Sequence, residues 1–162
     1  MKGDGMDWAI QKATELGAAR LVPLITARTV VRPKAPRAGH QARRWQSIAL
    51  EAAQQSMGWD VPEVTEPVSF AVWCAEPTSP ACKLILWEKP GGLPLRDHLR
   101  GTARPDAVTL AVGPEGGFES GEIELAEQAG FDAVSLGPRI LRSESAVLAA
   151  LAIVQYEWGD LS

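Results

Sequence analysis

The chain has 162 residues, 46% of them hydrophobic, and a formal net charge of −4, the profile of one soluble globular domain with a sizeable core. No apolar run approaches the roughly 18 residues that span a bilayer, and the opening MKGDGMDW lacks the apolar centre of a secretory leader. Cys74 and Cys82 are too few for a secreted disulfide scaffold, which points to a reducing cytoplasm; with only His40 and His98 beside them, no metal-ligand cluster can be drawn.

The modest net charge hides a division. Residues 1–50 carry nine Lys/Arg against three Asp/Glu, whereas residues 51–162 carry seven against seventeen. The basic excess, with Arg28, Arg32, Lys34, Arg37, Arg43 and Arg44, reads either as a solvated face or as a patch for a polyanion, nucleic acid first.

In chain order, Met6, Ile10, Ala13 and Leu16 fall at helical spacing and Gly17 closes that helix. Residues 21–25 and 29–31 read as short strands, and RPKAPRAG at 32–39 reads as an exposed basic loop, too rich in proline and charge for regular structure. Residues 41–57 predict a long helix with Trp45, Ile48, Ala49, Ala52 and Met57 on one stripe; Gln54, Gln55 and Ser56 form its solvated end. Residues 61–64 suit a strand, 68–74 a short amphipathic element, and KLILW at 83–87 a buried strand that stops at KPGG. Residues 95–99 suit a turn or two of helix, and 107–112 a strand entering GPEGG. Residues 120–129 and 143–157 close the chain as helices, the latter with Ser143 as a candidate N-cap. The six tryptophans suit core or interface packing.

The last third carries the chemistry. LAVGPEGGF (110–118) and VSLGPRILRSESA (134–146) are apolar runs that each halt at Gly-Pro, the signature of a buried strand feeding a rigid loop. Loops at the carboxyl ends of parallel strands are where open α/β sheets bind ligands. GPEGG has neither GxGxxG spacing nor a Gly-Lys-Ser/Thr ending, and Glu115 would repel a phosphate. A neutral or cationic ligand suits it, the alternative being a tight turn with purely structural glycines. In the second loop Leu136, Ile140 and Leu141 are apolar residues expected to line a pocket or to be covered by another chain. Arg142 leads into a helix N-terminus, where it draws anions or pairs internally with Glu144 or Glu115.

QKATELG (11–17), EAAQQS (51–56), GPEGGF (113–118) and LGPRILRSESA (136–146), in that order and nearly spanning the chain, resemble the RsmE-type ribosomal RNA methyltransferases. That resemblance implies an α/β fold of the SPOUT class, a trefoil-knotted, mostly parallel sheet flanked by helices, over residues 1–162, against the usual rule of unthreaded connections. It implies methyl transfer from S-adenosylmethionine to N3 of a uridine in 16S ribosomal RNA of the small subunit, by a cytoplasmic homodimer. It further implies cofactor contacts from Leu86, Trp87 and Glu88; from Val112, Gly113, Glu115, Gly116 and Gly117; and from Leu136, Gly137, Ile140, Leu141, Arg142 and Ala146. Arg142 and Glu144 would be catalytic, and Arg28, Arg32, Lys34 and Arg37 would contact RNA phosphates. Rival readings are a knotted methyltransferase acting on transfer RNA or on a ribose hydroxyl, and a non-catalytic RNA-binding or ribosome-assembly module. The chain departs from relatives in three places. The N-terminal PUA-like RNA-binding domain of many relatives is expected to be absent, LRSESA stands where LRTETA is common, and Met57-Gly58-Trp59 follows the QS pair where arginine is frequent.

Overall fold

The structure is a computed structural model and describes residues 3–29, 35–58, 60–76, 82–88 and 92–161. Its organising feature is a four-stranded parallel sheet built by the second half of the chain. The strands are β5 (Cys82–Leu86), β6 (Leu93–Pro94), β7 (Val108–Ala111) and β8 (Asp132–Ser135), in the order β6-β8-β5-β7. Leu84 sits opposite both Leu110 and Asp132, and Ile85 opposite Ala111 and Ala133, so β5 is paired on both sides. That position explains the apolar run Leu84-Ile85-Leu86, since a central parallel strand is buried on both faces. β6 escapes a sequence reading because GGLP offers only two strand residues, one a proline, which an edge strand tolerates.

Side-chain alternation along β5 divides the core into two layers. Ile85 points into a cluster with Phe70, Trp73, Phe118, Ile123, Ala126 and Phe131. This layer is supplied by the helices α3 (Phe70–Ala75) and α5 (Ser120–Gln128). Leu84 and Leu86 point the other way, onto Leu95, Leu99, Val134, Ala150, Val154 and Trp158. These come from β8 and from the helices α4 (Leu95–Gly101) and α6 (Ser143–Trp158). The sheet is thus covered by helices on both faces, as a parallel sheet requires.

The N-terminal half packs two helices, α1 (Gly3–Glu15) and α2 (Ala35–Gln55), around Ile10, Trp45, Ala49 and Val64. Short parallel pairs join β1 (Arg20–Leu21) to β3 (Glu63–Val64) and β2 (Leu24–Ile25) to β4 (Val68–Ser69). Pro23 separates β1 from β2, and Gln46 on α2 extends the β3 edge by accepting from the Val64 N–H at 2.8 Å and donating to the Pro62 carbonyl at 2.9 Å.

Four local expectations are corrected. The stretch 35–39, read as loop, is the first turn of α2; Pro36 stands where a helix leaves its N–H groups unpaired, so the ring costs nothing there. Met57 has left the stripe: α2 ends at Gln55, and Met57 is 86% exposed with a positive φ of 56°. Arg142, not Ser143, is the N-cap of α6, and its carbonyl takes the Ala146 N–H at 2.8 Å. Thr29 lies in a turn rather than a strand, and residues 30–31 fall outside the described residues.

Candidate active site

All three neighbouring strands β7, β5 and β8 run parallel, so the segments following them leave the sheet at one edge. Behind β7 the chain enters α5 on the Ile85 face; behind β8 it enters α6 on the Leu84 face. Helices diverging to opposite faces around β5 open a crevice at the carboxyl edge, the switch-point geometry in which α/β sheets hold ligands.

The first segment is Leu86-Trp87-Glu88. Leu86 is buried, the Trp87 N–H extends the ladder to the Val134 carbonyl at 2.9 Å, and Glu88 is exposed. In the second, GPEGG, the Gly117 N–H closes a turn on the Pro114 carbonyl at 2.8 Å, and Gly117 has a φ of +67°, a conformation that disfavours any residue with a Cβ. Gly113 and Gly117 are half-buried; Glu115 and Gly116 are exposed. In the third, Gly137 takes a φ of +107°, Leu136 and Leu141 pack half-buried against the α6-side core, and Ile140 stands 81% exposed. Ala146 faces that same core and is 8% exposed.

Arg142 is exposed at the start of α6, and no ion pair among the described residues joins it to Glu144. Glu144 is half-buried, and its carboxylate lies directly over Gly5 of α1, so closely that a Cβ there would collide with Oε1. Nothing in the sequence marked Gly5, because its partner lies at the other end of the chain. Ser143 is 4% exposed, and its Oγ has no hydrogen-bond partner among the described residues. A buried hydroxyl without a partner is costly and calls for an explanation.

The basic half is partly spent internally. Arg44 pairs with Asp7, which also accepts from Trp45 Nε1 at 3.1 Å, joining α2 to α1. Arg28 turns toward GPEGG: its Nη1 donates to the Gly116 carbonyl, and its Nε lies 3.6 Å from Glu119 Oε1. Arg32 and Lys34 lie outside the described residues, and Arg37 is placed only by its backbone, on the first turn of α2.

Two cavities flank the crevice. One of about 780 Å³ opens between α1, the β1–β2 stretch, the length of β7 and α6, and takes Val112 and Gly113 of the candidate residues into its wall. The other, about 450 Å³, is lined by Trp87, His98, Glu127 and Asp132. Neither described lining includes a candidate residue of the third loop. Both thiols are held protonated: burial pushes the Cys74 thiol up, opposed by Lys83, and burial together with Asp132 does the same to Cys82. Neither is poised as a nucleophile.

Comparison with known proteins now decides the family. The profile of the RNA methyltransferase domain matches residues 1–155. The chain belongs to that family. It is 39% identical over 152 residues to the ribosomal RNA small subunit methyltransferase E of Synechocystis sp., covering 93% of this chain and 49% of that protein. The protein of the same designation from Bacillus subtilis is 37% identical, covering 96% of this chain and 62% of its own length. The chain therefore spans 49% to 62% of the length of these relatives. Among solved structures, that of the Neisseria gonorrhoeae ribosomal RNA small subunit methyltransferase E, bound to S-adenosylmethionine, superposes with a TM-score of 0.88 at 38% identity. It covers 99% of this chain and 64% of the other. A Legionella pneumophila methyltransferase, also holding S-adenosylmethionine, gives 0.90 at 37% identity and the same coverage. The α/β fold with its parallel sheet is the fold of this RNA methyltransferase domain.

Proposed function

We propose that this RNA methyltransferase domain transfers a methyl group from S-adenosylmethionine to N3 of a uridine in 16S ribosomal RNA of the small subunit, acting as a cytoplasmic homodimer with a trefoil-knotted chain. The observation that carries the reading is the convergence of three loops at one sheet edge, in a fold whose relatives at 37–38% identity hold that cofactor. The exposed apolar side chains Ile140 and Tyr156, on and beside α6, support a covering partner chain.

The residues suit a sulfonium ligand better than a phosphate one. GPEGG offers backbone N–H and C=O groups around a carboxylate, without the basic cradle a phosphate needs. The Ser143 hydroxyl, without a hydrogen-bond partner among the described residues, adds a polar group beside the third loop. Bound there, the cofactor supplies a methyl group activated by its positive sulfur.

What remains is to make uridine N3 nucleophilic, since that nitrogen carries a proton at neutral pH. Arg142, exposed at a positive helix end, stabilises the negative charge that builds on the uracil as the proton leaves. Glu144, two residues on, accepts the proton through a water, with Gly5 giving its carboxylate room. A paired base hides its N3 edge, so the substrate uridine is unpaired or turned out. Isothermal titration with S-adenosylmethionine tests the first step: saturable one-to-one heat is expected per chain, and a silent titration of folded protein contradicts the reading.

A further inference from the structure

The turn after β2 grips the turn after β7 from outside. Thr26 and Thr29 close the first turn on themselves: the Thr26 N–H donates to Thr29 Oγ1 at 2.9 Å, the hydroxyls lie 3.0 Å apart, and the Thr29 N–H returns to the Thr26 carbonyl at 3.2 Å. Thr26 is 4% exposed, so the turn is anchored rather than loose. From it the Ala27 N–H reaches Glu122 Oε1 at 2.9 Å, while Oε2 of the same carboxylate holds the Glu119 N–H at 2.9 Å. Arg28 completes the join. Its guanidinium donates to the Gly116 carbonyl, and its stem lies flat on Gly116, where a Cβ would stand 3.1 Å from Arg28 Cδ and 3.2 Å from its Cβ.

We propose that Arg28 is a positioning residue for the cofactor turn rather than a phosphate ligand, fixing the Gly116 carbonyl and with it the conformation of residues 113–117. This rests on the reading of GPEGG as part of the cofactor site. The ion pair to Glu119 is half-exposed and contributes little by itself. The grip comes from the carbonyl hydrogen bond and the packed stem, which restrain the paired glycines Gly116 and Gly117, residues with no side chain to hold them in one shape.

The test is isothermal titration of S-adenosylmethionine into wild type, R28A, R28K, G116A and the double variant, with R20A as a distant arginine control and the thermal midpoint of each recorded. The expected result is a roughly tenfold weaker Kd for R28A, the value of about one lost oriented hydrogen bond. R28K, keeping a donor and most of the stem, recovers part of the loss, and R20A binds as wild type. G116A weakens binding by displacing the Arg28 stem, and costs less in the R28A background, where that stem is gone. Wild-type binding with R28A and G116A both within twofold of it overturns the proposal, as does additivity of the two substitutions. A wild type that binds no cofactor removes the underlying reading instead, so the two failures are distinguishable.

Discussion

Arg142 and Glu144 are adjacent in the proposed chemistry but sit in different surroundings, one exposed, the other half-buried over Gly5. That difference separates their kinetic signatures. R142A is expected to lower kcat by about 10²–10³ with a small change in cofactor Kd, because it loses charge stabilisation made only during reaction. E144Q is expected to lower kcat by about 10²–10⁴, because the amide cannot take up the proton. Steady-state kinetics across pH 5–9 check both; a pure KM effect in either contradicts its role. At this scale the sequence was legible where chemistry is local: two Gly-Pro stops and LGPRILRSESA marked the right strand ends. It was blind to Gly5 under Glu144 and to Arg28 on Gly116, contacts made across more than eighty residues of chain. The charge count of the first half could not reveal that Arg44 and Arg28 already have partners.

Among the elements, α5 shows how a helix end positions a loop. Its N-cap is Glu119, and Glu122 returns to the Glu119 N–H at 2.9 Å to complete a capping box while also holding Ala27. Its place in the first turn makes Glu122 a favourable acid beside the helix dipole, but the tether to Ala27 leaves no mark in the local sequence. E122A therefore loses a cap and a tertiary hydrogen bond together, at a cost of about 1–2 kcal/mol. E122Q keeps one acceptor and costs less. Denaturant unfolding with constant m-value checks the ranking; equal stability of E122A and wild type contradicts it. Element boundaries went wrong where proline and glycine serve unusual ends: Pro36 inside the first turn of α2, and Pro94 on the edge strand β6. The type and order of the long elements were legible because their apolar period is strong, and β5 because its doubly buried part, Leu84 to Leu86, is wholly apolar.

For the whole molecule, periodicity and the Gly-Pro stops mark strands and helices, and the family resemblance implies the mostly parallel α/β sheet flanked by helices that is found. They do not give strand order: β8 and β7 on either side of β5 is a long-range choice that no local pattern encodes. That order is what brings three loops to one edge, and the account depends on their serving a single transfer to uracil N3. The most direct measurement incubates the protein and S-adenosylmethionine carrying a labelled methyl group with small ribosomal subunits lacking the modification, digests the RNA to nucleosides and identifies the labelled product by mass spectrometry. The account predicts 3-methyluridine, lost in R142A; a ribose-methylated nucleoside, or label in another base, would contradict it.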